Sequence, residues 1–327
     1  MYYRKGDLGL GLRKLAFVFA ASIILYSAKS YAVEGGAGVY LLGQRSNHAA
    51  VMPPPGLFFQ FEEFLYSGDI ADSKAIAENG RLDLGIEADI ALSMATGIWA
   101  PAAEFLGGRP MLTLTLPFGY QKVTADAQLS LGGAALRGRF TDDVFTVGDP
   151  VAGASLGWNK DNWHWTVFGA LNVPIGDYDG RRSANFAFNR WAQDTTGAVT
   201  YLDPATGMEA SLAAGVTFNG ENIDTDYDSG TEFHLEVGVS KTFQNGLMLG
   251  LAGYYYNQLT DDEGTGVPSD GFQGRVFAIG PALAYTLNVK GIPIVLKARY
   301  YHEFNANNRL EGDAVFIGFT MPLAVFE

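Results

Sequence analysis

Apolar and polar side chains alternate along much of this chain with a period of two. From Leu82 to Met94 the even positions (Leu82, Leu84, Ile86, Ala88, Ile90, Leu92, Met94) are apolar. The odd ones (Asp83, Gly85, Glu87, Asp89, Ala91, Ser93) are small, polar or acidic. Successive side chains of a strand point to opposite faces, so the run predicts one extended strand with an apolar and a polar side. It exceeds the ~5–6 residues usual in soluble strands and reaches the ~9–11 that a tilted strand needs to cross a bilayer. Segment 111–121 repeats the pattern: Leu112, Leu114, Leu116, Phe118 and Tyr120 alternate with Thr113, Thr115, Pro117, Gly119 and Gln121. Such strands predict an all-β fold, a transmembrane antiparallel β-barrel with a lipid-facing skin and a polar interior.

The same reading places strands at 56–67, 82–98, 110–121, 146–158, 161–173, 189–202, 208–218, 231–242, 246–259, 274–287, 293–304 and 313–323. That is about twelve, an even number, as in bacterial single-chain barrels. Connections at 159–160, 203–207, 244–245 and 288–292 are short, with 99–109 a longer exception. Those at 68–81, 122–145, 174–188, 219–230, 260–273 and 305–312 are long. Short periplasmic turns against longer extracellular loops follow, with both termini periplasmic.

Alternation then assigns faces. Leu84, Leu114, Trp163, Trp165, Val167, Leu235 and Val237 are expected toward lipid, as are Ile294, Leu296, Ala298 and Tyr300. Gly85, Thr113, His164, Glu232, His234, Glu236, Gly238, Lys297, Arg299 and Tyr301 are expected toward the lumen. An unpaired charge on the lipid face costs ~2–4 kcal/mol at the bilayer midplane, which drives Lys297 and Arg299 inward. Trp158, Trp163, Tyr120, Tyr255, Tyr285 and Tyr300 fall near strand ends, where an interfacial girdle belongs.

Residues 1–32 have the form of a secretory signal. Arg13 and Lys14 precede an apolar stretch from Leu15 to Ala28, and Ser30-Tyr31-Ala32 offers small residues for cleavage. The apolar stretch is short for a membrane-spanning helix. Residues 33–55 form either a periplasmic lead-in or a plug, because three consecutive prolines (Pro53, Pro54, Pro55) cannot donate to a ladder. The lead-in is the favoured expectation. Residues 56–327 make the barrel.

Composition narrows the partners. The formal net charge is −13, so nucleic acid, which needs a basic footprint, is not expected. Cysteine is absent, which removes disulfides and thiolate metal sites. Gly153-Ala154-Ser155-Leu156-Gly157 matches the nucleophile-elbow spacing but lies inside a strand, without the helix that exposes such a serine. Asp224 to Gly230 resembles the start of a calcium loop but carries Ser229 where the turn needs glycine. The four histidines (His48, His164, His234, His302) share no metal-binding spacing. No cofactor and no metal are expected.

The charged lumen lining is the candidate site. Asp83, Glu87 and Asp89 are expected to face Lys297 and Arg299 across the seam of the closed barrel as a polarised constriction. Glu232 and Glu236 add acid to the lining. Tyr254, Tyr256 and Tyr301, with Phe58, Phe168 and Phe316, offer stacking surfaces to an aromatic ring.

Several segments carry a family likeness: Pro53-Pro54-Pro55-Gly56-Leu57-Phe58, Asn172 to Tyr178, Asp226 to His234, Gly253 to Asp262, Ala278-Ile279-Gly280-Pro281 and Glu311-Gly312-Asp313. Together they resemble the outer-membrane barrel family called the meta-pathway phenol degradation proteins. The resemblance implies an outer-membrane transporter associated with breakdown of aromatic or other hydrophobic compounds, and it supplies no substrate-contacting residues.

The expected function is passive uptake of small hydrophobic or aromatic compounds across the outer membrane, without enzyme activity. The alternatives are a barrel enzyme of the lipid-hydrolase type and a closed structural barrel. Expected partners are the lipid bilayer, lipopolysaccharide, the small solute and the outer-membrane assembly machinery.

Overall fold

A computed structural model describes residues 38–75, 80–131, 134–264, 267 and 272–326. The expected leader, residues 1–32, lies outside them, as do residues 33–37.

The strands are β1 (Gly56–Ala75), β2 (Gly80–Ala100), β3 (Arg109–Leu131), β4 (Ala134–Val147), β5 (Val151–Lys160), β6 (Trp163–Asn172), β7 (Ala192–Asp203) and β8 (Met208–Asn219). The short pair β9 (Glu221–Asn222) and β10 (Tyr227–Asp228) precedes β11 (Glu232–Thr242) and β12 (Leu247–Gln258). Then come β13 (Glu263–Gly264), β14 (Arg275–Val289), β15 (Ile292–Asn307) and β16 (Glu311–Val325).

All the ladders are antiparallel, and β1 pairs with both β2 and β16. That joins first strand to last and closes the sheet, which leaves no unpaired edge in hydrocarbon. At the seam Phe326 N–H donates to Pro55 O at 3.0 Å. β4 and β5 lie end to end against β3, pairing with Phe118–Leu131 and Arg109–Thr115 respectively. Gly148-Asp149-Pro150 interrupts them, so they count as one stave and the barrel has 12. β9, β10 and β13 form a separate three-stranded sheet in the outer loops.

Strand boundaries differ most from the sequence expectation in one region. Segment 122–145, expected as a loop, is the β3–β4 hairpin, and β1 and β2 run on into 68–81. At 20, 21 and 23 residues, β1, β2 and β3 are about twice the length a bilayer requires. Their outer halves stand beyond the membrane.

This extension reverses the faces expected for 82–98. Ala88 and Met94 of β2 are buried, and Ile90 and Leu92 pack on the same inner cluster with Phe64 and Tyr254. Glu87 and Asp89 are exposed on the outer surface. Glu87 meets Arg139 at 3.5 Å, Arg139 meets Asp126 at 3.7 Å, and Asp89 accepts from Ser67. Asp83 shares their face by alternation. The reason is the surrounding solvent. Beyond the bilayer the outside is water, so charge faces out and apolar side chains pack in, as in a soluble sheet.

Elsewhere the faces match. Leu114, Trp163, Trp165, Val167, Val237, Val239, Leu251, Leu296 and Ile317 are exposed on the outer skin. Glu232, His234, Glu236, Tyr254, Tyr256, Tyr301, Phe168 and Phe316 are buried inside.

Candidate functional site in the barrel lumen

Residues 38–55 lie against inward-facing side chains of the barrel. Tyr40 stacks on His234 with ring centroids 3.6 Å apart and planes 12° apart. Its hydroxyl donates to Glu236 at 2.8 Å. The same carboxylate accepts Gly43 N–H at 3.0 Å and Arg45 N–H at 2.7 Å. One buried acid therefore takes three donors, two of them main-chain groups with no ladder of their own.

The pattern continues along the segment. Glu209 accepts His48 N–H at 2.9 Å and Ser240 Oγ–H at 2.6 Å. Ala50 N–H donates to Thr200 Oγ1 at 3.0 Å, and Ser46 Oγ lies 2.7 Å from Tyr301 Oη. On the acceptor side, Arg299 donates to Gly43 O at 2.8 Å and Gln44 O at 2.7 Å, and Tyr301 donates to Gly43 O at 2.9 Å. Further along, Arg109 donates to Pro53 O at 3.2 Å. The segment is a non-ladder chain whose backbone polar groups are satisfied by the lumen.

Arg299 also pairs with Glu62 of β1. This corrects the expected partnership of Arg299 with Asp83, Glu87 and Asp89, which face away from the lumen. The inward acid that reaches Arg299 comes from β1, two staves from β15 around the ring. Lys297, expected in the same pairing, faces the cavity.

The remaining expected lining residues fall into two groups. Glu232 accepts from Asn219 Nδ2 at 2.8 Å beside Gly38, where an added Cβ would sit 2.2 Å from its Oε2. Tyr254 donates to Glu303 at 2.8 Å, as Tyr66 does at 2.9 Å, and Arg309 lies over the Tyr256 ring at 4.5 Å. Tyr254 and Tyr256 thus sit in one outer cluster, while Glu236, Arg299 and Tyr301 surround the inserted segment.

Sequence reasoning did not single out Glu62, Asp194, Glu209 or Arg45. Alternation carries the signal for the first three, since each stands on the inward parity of its strand, as Glu303 does on the set already assigned inward with Lys297, Arg299 and Tyr301. Asp194 bonds His234 Nε2 at 2.8 Å and accepts from Thr217 at 2.8 Å. Arg45 has no such signal, because its place depends on how residues 38–55 fold back.

A cavity of about 1370 Å³ runs beside the inserted segment. Its apolar lining includes Phe64, Ile90, Leu92, Met94, Ile98 and Phe168. The loop 174–190 borders it with Tyr178, Arg182, Phe186 and Phe188. Buried Asp149, at the break between β4 and β5, organises that loop. It accepts Gly176 N–H and Phe188 N–H at 2.8 Å each, Asn189 N–H at 3.2 Å and Asn172 Nδ2–H at 3.0 Å.

Ser155 of the Gly-x-Ser-x-Gly stretch is buried inside β5, and its Oγ has no hydrogen-bond partner among the described residues. The strand-to-helix turn of a nucleophile elbow is not present there. In the acidic loop, Tyr227 donates to Asp262 at 2.5 Å and Gly230 N–H donates to it at 2.8 Å, which ties the loop to its neighbour.

Closed antiparallel staves, an apolar outer skin and a polar, partly filled lumen define an outer-membrane β-barrel. A family model described as "Putative MetA-pathway of phenol degradation" matches residues 71–319, and the chain belongs to that family. The fold is similar to the COG4313 outer membrane channel from Pseudomonas putida F1, with a TM-score of 0.64 and 13% sequence identity. That match covers 86% of this chain and 99% of the other. A looser likeness is to OccD3 (OpdP) of Pseudomonas aeruginosa, with a TM-score of 0.34 and 11% identity over 90% of this chain and 100% of that one. No curated protein matches the chain in sequence.

Proposed function

We propose that the protein is a passive outer-membrane conduit for small hydrophobic or aromatic molecules, with residues 38–55 acting as a plug that narrows the path. The observation that carries this reading is the cavity beside the inserted segment, bounded on one side by the apolar face of β2. A wall of Ile90, Leu92, Met94 and Ile98 gives an apolar solute a surface to follow, at roughly 25 cal/mol per Å² of apolar area removed from water. Sugars and ions gain nothing from it. Family membership in phenol degradation supports the same class of solute.

The plug is held on both sides by charged groups, Glu236 and Glu209 on its donors and Arg299 on its acceptors. Hydrogen bonds to charged partners contribute about 1.5–3 kcal/mol each, so the segment acts as a seated constriction. The Gly-x-Ser-x-Gly stretch lends no support to the enzyme alternative, since Ser155 is buried within β5 and its Oγ has no hydrogen-bond partner among the described residues.

The test is uptake by liposomes containing purified protein, comparing benzyl alcohol with glucose. Faster benzyl alcohol entry than in protein-free liposomes, with slow glucose entry, supports the reading. Deletion of residues 38–50 is expected to raise glucose entry. If neither native nor deleted protein admits either solute above background, the barrel is a closed structural one and the conduit reading fails.

A further inference from the structure

Charges around the cavity do not balance. Among the described residues the inward carboxylates are engaged: Glu62 by Arg299, Asp194 by His234, Glu209 and Glu236 by the inserted segment, Glu232 by Asn219, Asp149 by the loop 174–190, and Glu303 by Tyr66 and Tyr254. The Lys297 and Arg45 side chains have no carboxylate partner among the described residues. Lys297 lines the cavity, is exposed to it, and has neither a hydrogen bond nor an ion pair among the described residues. Arg45 lies with its guanidinium 3.7 Å from the centroid of the Phe168 ring and has no carboxylate partner there.

Charged groups on every side of Lys297 leave it uncompensated. Arg299 and Glu62 bear on it most, and they are already paired with each other. His48, on the inserted segment, is also within reach of its field, and its own acidic neighbour Glu209 is bonded to the His48 and Ser240 donors. An ammonium in a confined lumen attracts an anion more strongly than it would in bulk water, because fewer water dipoles screen it. Leu92 and Met94 line the same cavity, and Met94 stands on the ladder row of Lys297, reached through Gly318 and Glu62.

Resting on the conduit reading above, we propose that the lumen holds a binding site for a small organic monoanion with an apolar body. Its carboxylate or phenolate sits on the Lys297 ammonium and its hydrocarbon lies along Leu92 and Met94. The positive charge is local, set in a chain of formal charge −13. It therefore selects among solutes already inside the lumen and does not steer them from a distance.

The experiment measures initial uptake of benzoate, benzyl alcohol and benzylamine into liposomes containing the full chain, with Lys297→Met, Lys297→Glu and Lys297→Arg beside it. Because Lys297 has no internal partner, its removal leaves no carboxylate stranded, and heat-modified gel mobility reports whether each barrel is folded. The native protein is expected to favour benzoate over benzylamine. The benzoate-to-benzyl alcohol ratio is expected to fall about tenfold in Lys297→Met, equivalent to ~1.4 kcal/mol. It is expected to fall further in Lys297→Glu and to be kept in Lys297→Arg. An unchanged ratio in folded Lys297→Met and Lys297→Glu overturns the anion site and leaves the conduit standing. Failure of the native protein to pass benzyl alcohol or benzoate overturns the conduit itself.

Discussion

Gly43 lies where the inserted segment meets the ring of Tyr301. Its φ is +89°, and a Cβ built there would lie 2.6 Å from the Tyr301 ring. Both the left-handed backbone and the close approach require glycine. Gly43→Ala is therefore expected to unseat the segment by about 1–2 kcal/mol while leaving the barrel folded. Single-channel conductance should rise, and unchanged conductance would contradict the seating. Arg299 is a different case because it holds two plug carbonyls and the Glu62 carboxylate together. Arg299→Ala leaves Glu62 charged and alone, an outcome that costs about 3 kcal/mol where water is scarce. Denaturant unfolding should show this loss, and a second change, Glu62→Gln, should recover part of it.

Among the elements, the break at Gly148-Asp149-Pro150 has the widest consequences. Pro150 has no N–H to continue a ladder, and Asp149 uses the gap to collect the backbone of the loop 174–190. Asp149→Ala removes the acceptor for three backbone N–H groups and one side-chain amide. It should make the loop cleavable by protease added to intact cells, with the native protein resistant. The outer part of this loop is also held by Asp177, which Arg182 and Thr146 keep below the usual carboxylate range. A depressed carboxyl contributes stability that is fully present above its unfolded pKa of roughly 3.9 and lost as pH falls through the lower folded value. Loop cleavage by an acid-active protease should therefore rise only below about pH 4, and Asp177→Asn should remove that pH dependence.

For the whole molecule, the sense of the alternation in β2 decides what the lumen is made of. The chain has no cysteine, so single introduced thiols report cleanly. A cysteine at Leu92 should react with small aqueous reagents entering the lumen, and one at Ala91 with lipid-soluble ones. One at Asp89 should react with an impermeant reagent on intact cells. The opposite pattern at Leu92 and Ala91 would restore the apolar-out reading, since a shift of one residue exchanges the faces.

The sequence by itself determined the strand period, the approximate strand positions, the even number of staves and the lipid-facing sets of β6, β11 and β15. These follow from local chemistry, because a strand alternates whatever surrounds it. It also determined that Glu232, Glu236, Tyr254, Tyr256, Lys297, Arg299 and Tyr301 face inward, since hydrocarbon excludes charge from the other side. Only the tertiary structure decided which side of β2 is inside. An alternating strand has two distinguishable faces, and which one meets water depends on whether that stretch lies within the bilayer or beyond it. Only the tertiary structure likewise joined Arg299 to Glu62 and brought residues 38–55 against Glu236 and Glu209. Those contacts span up to 237 residues of sequence, and no local pattern records which distant strand will close the ring.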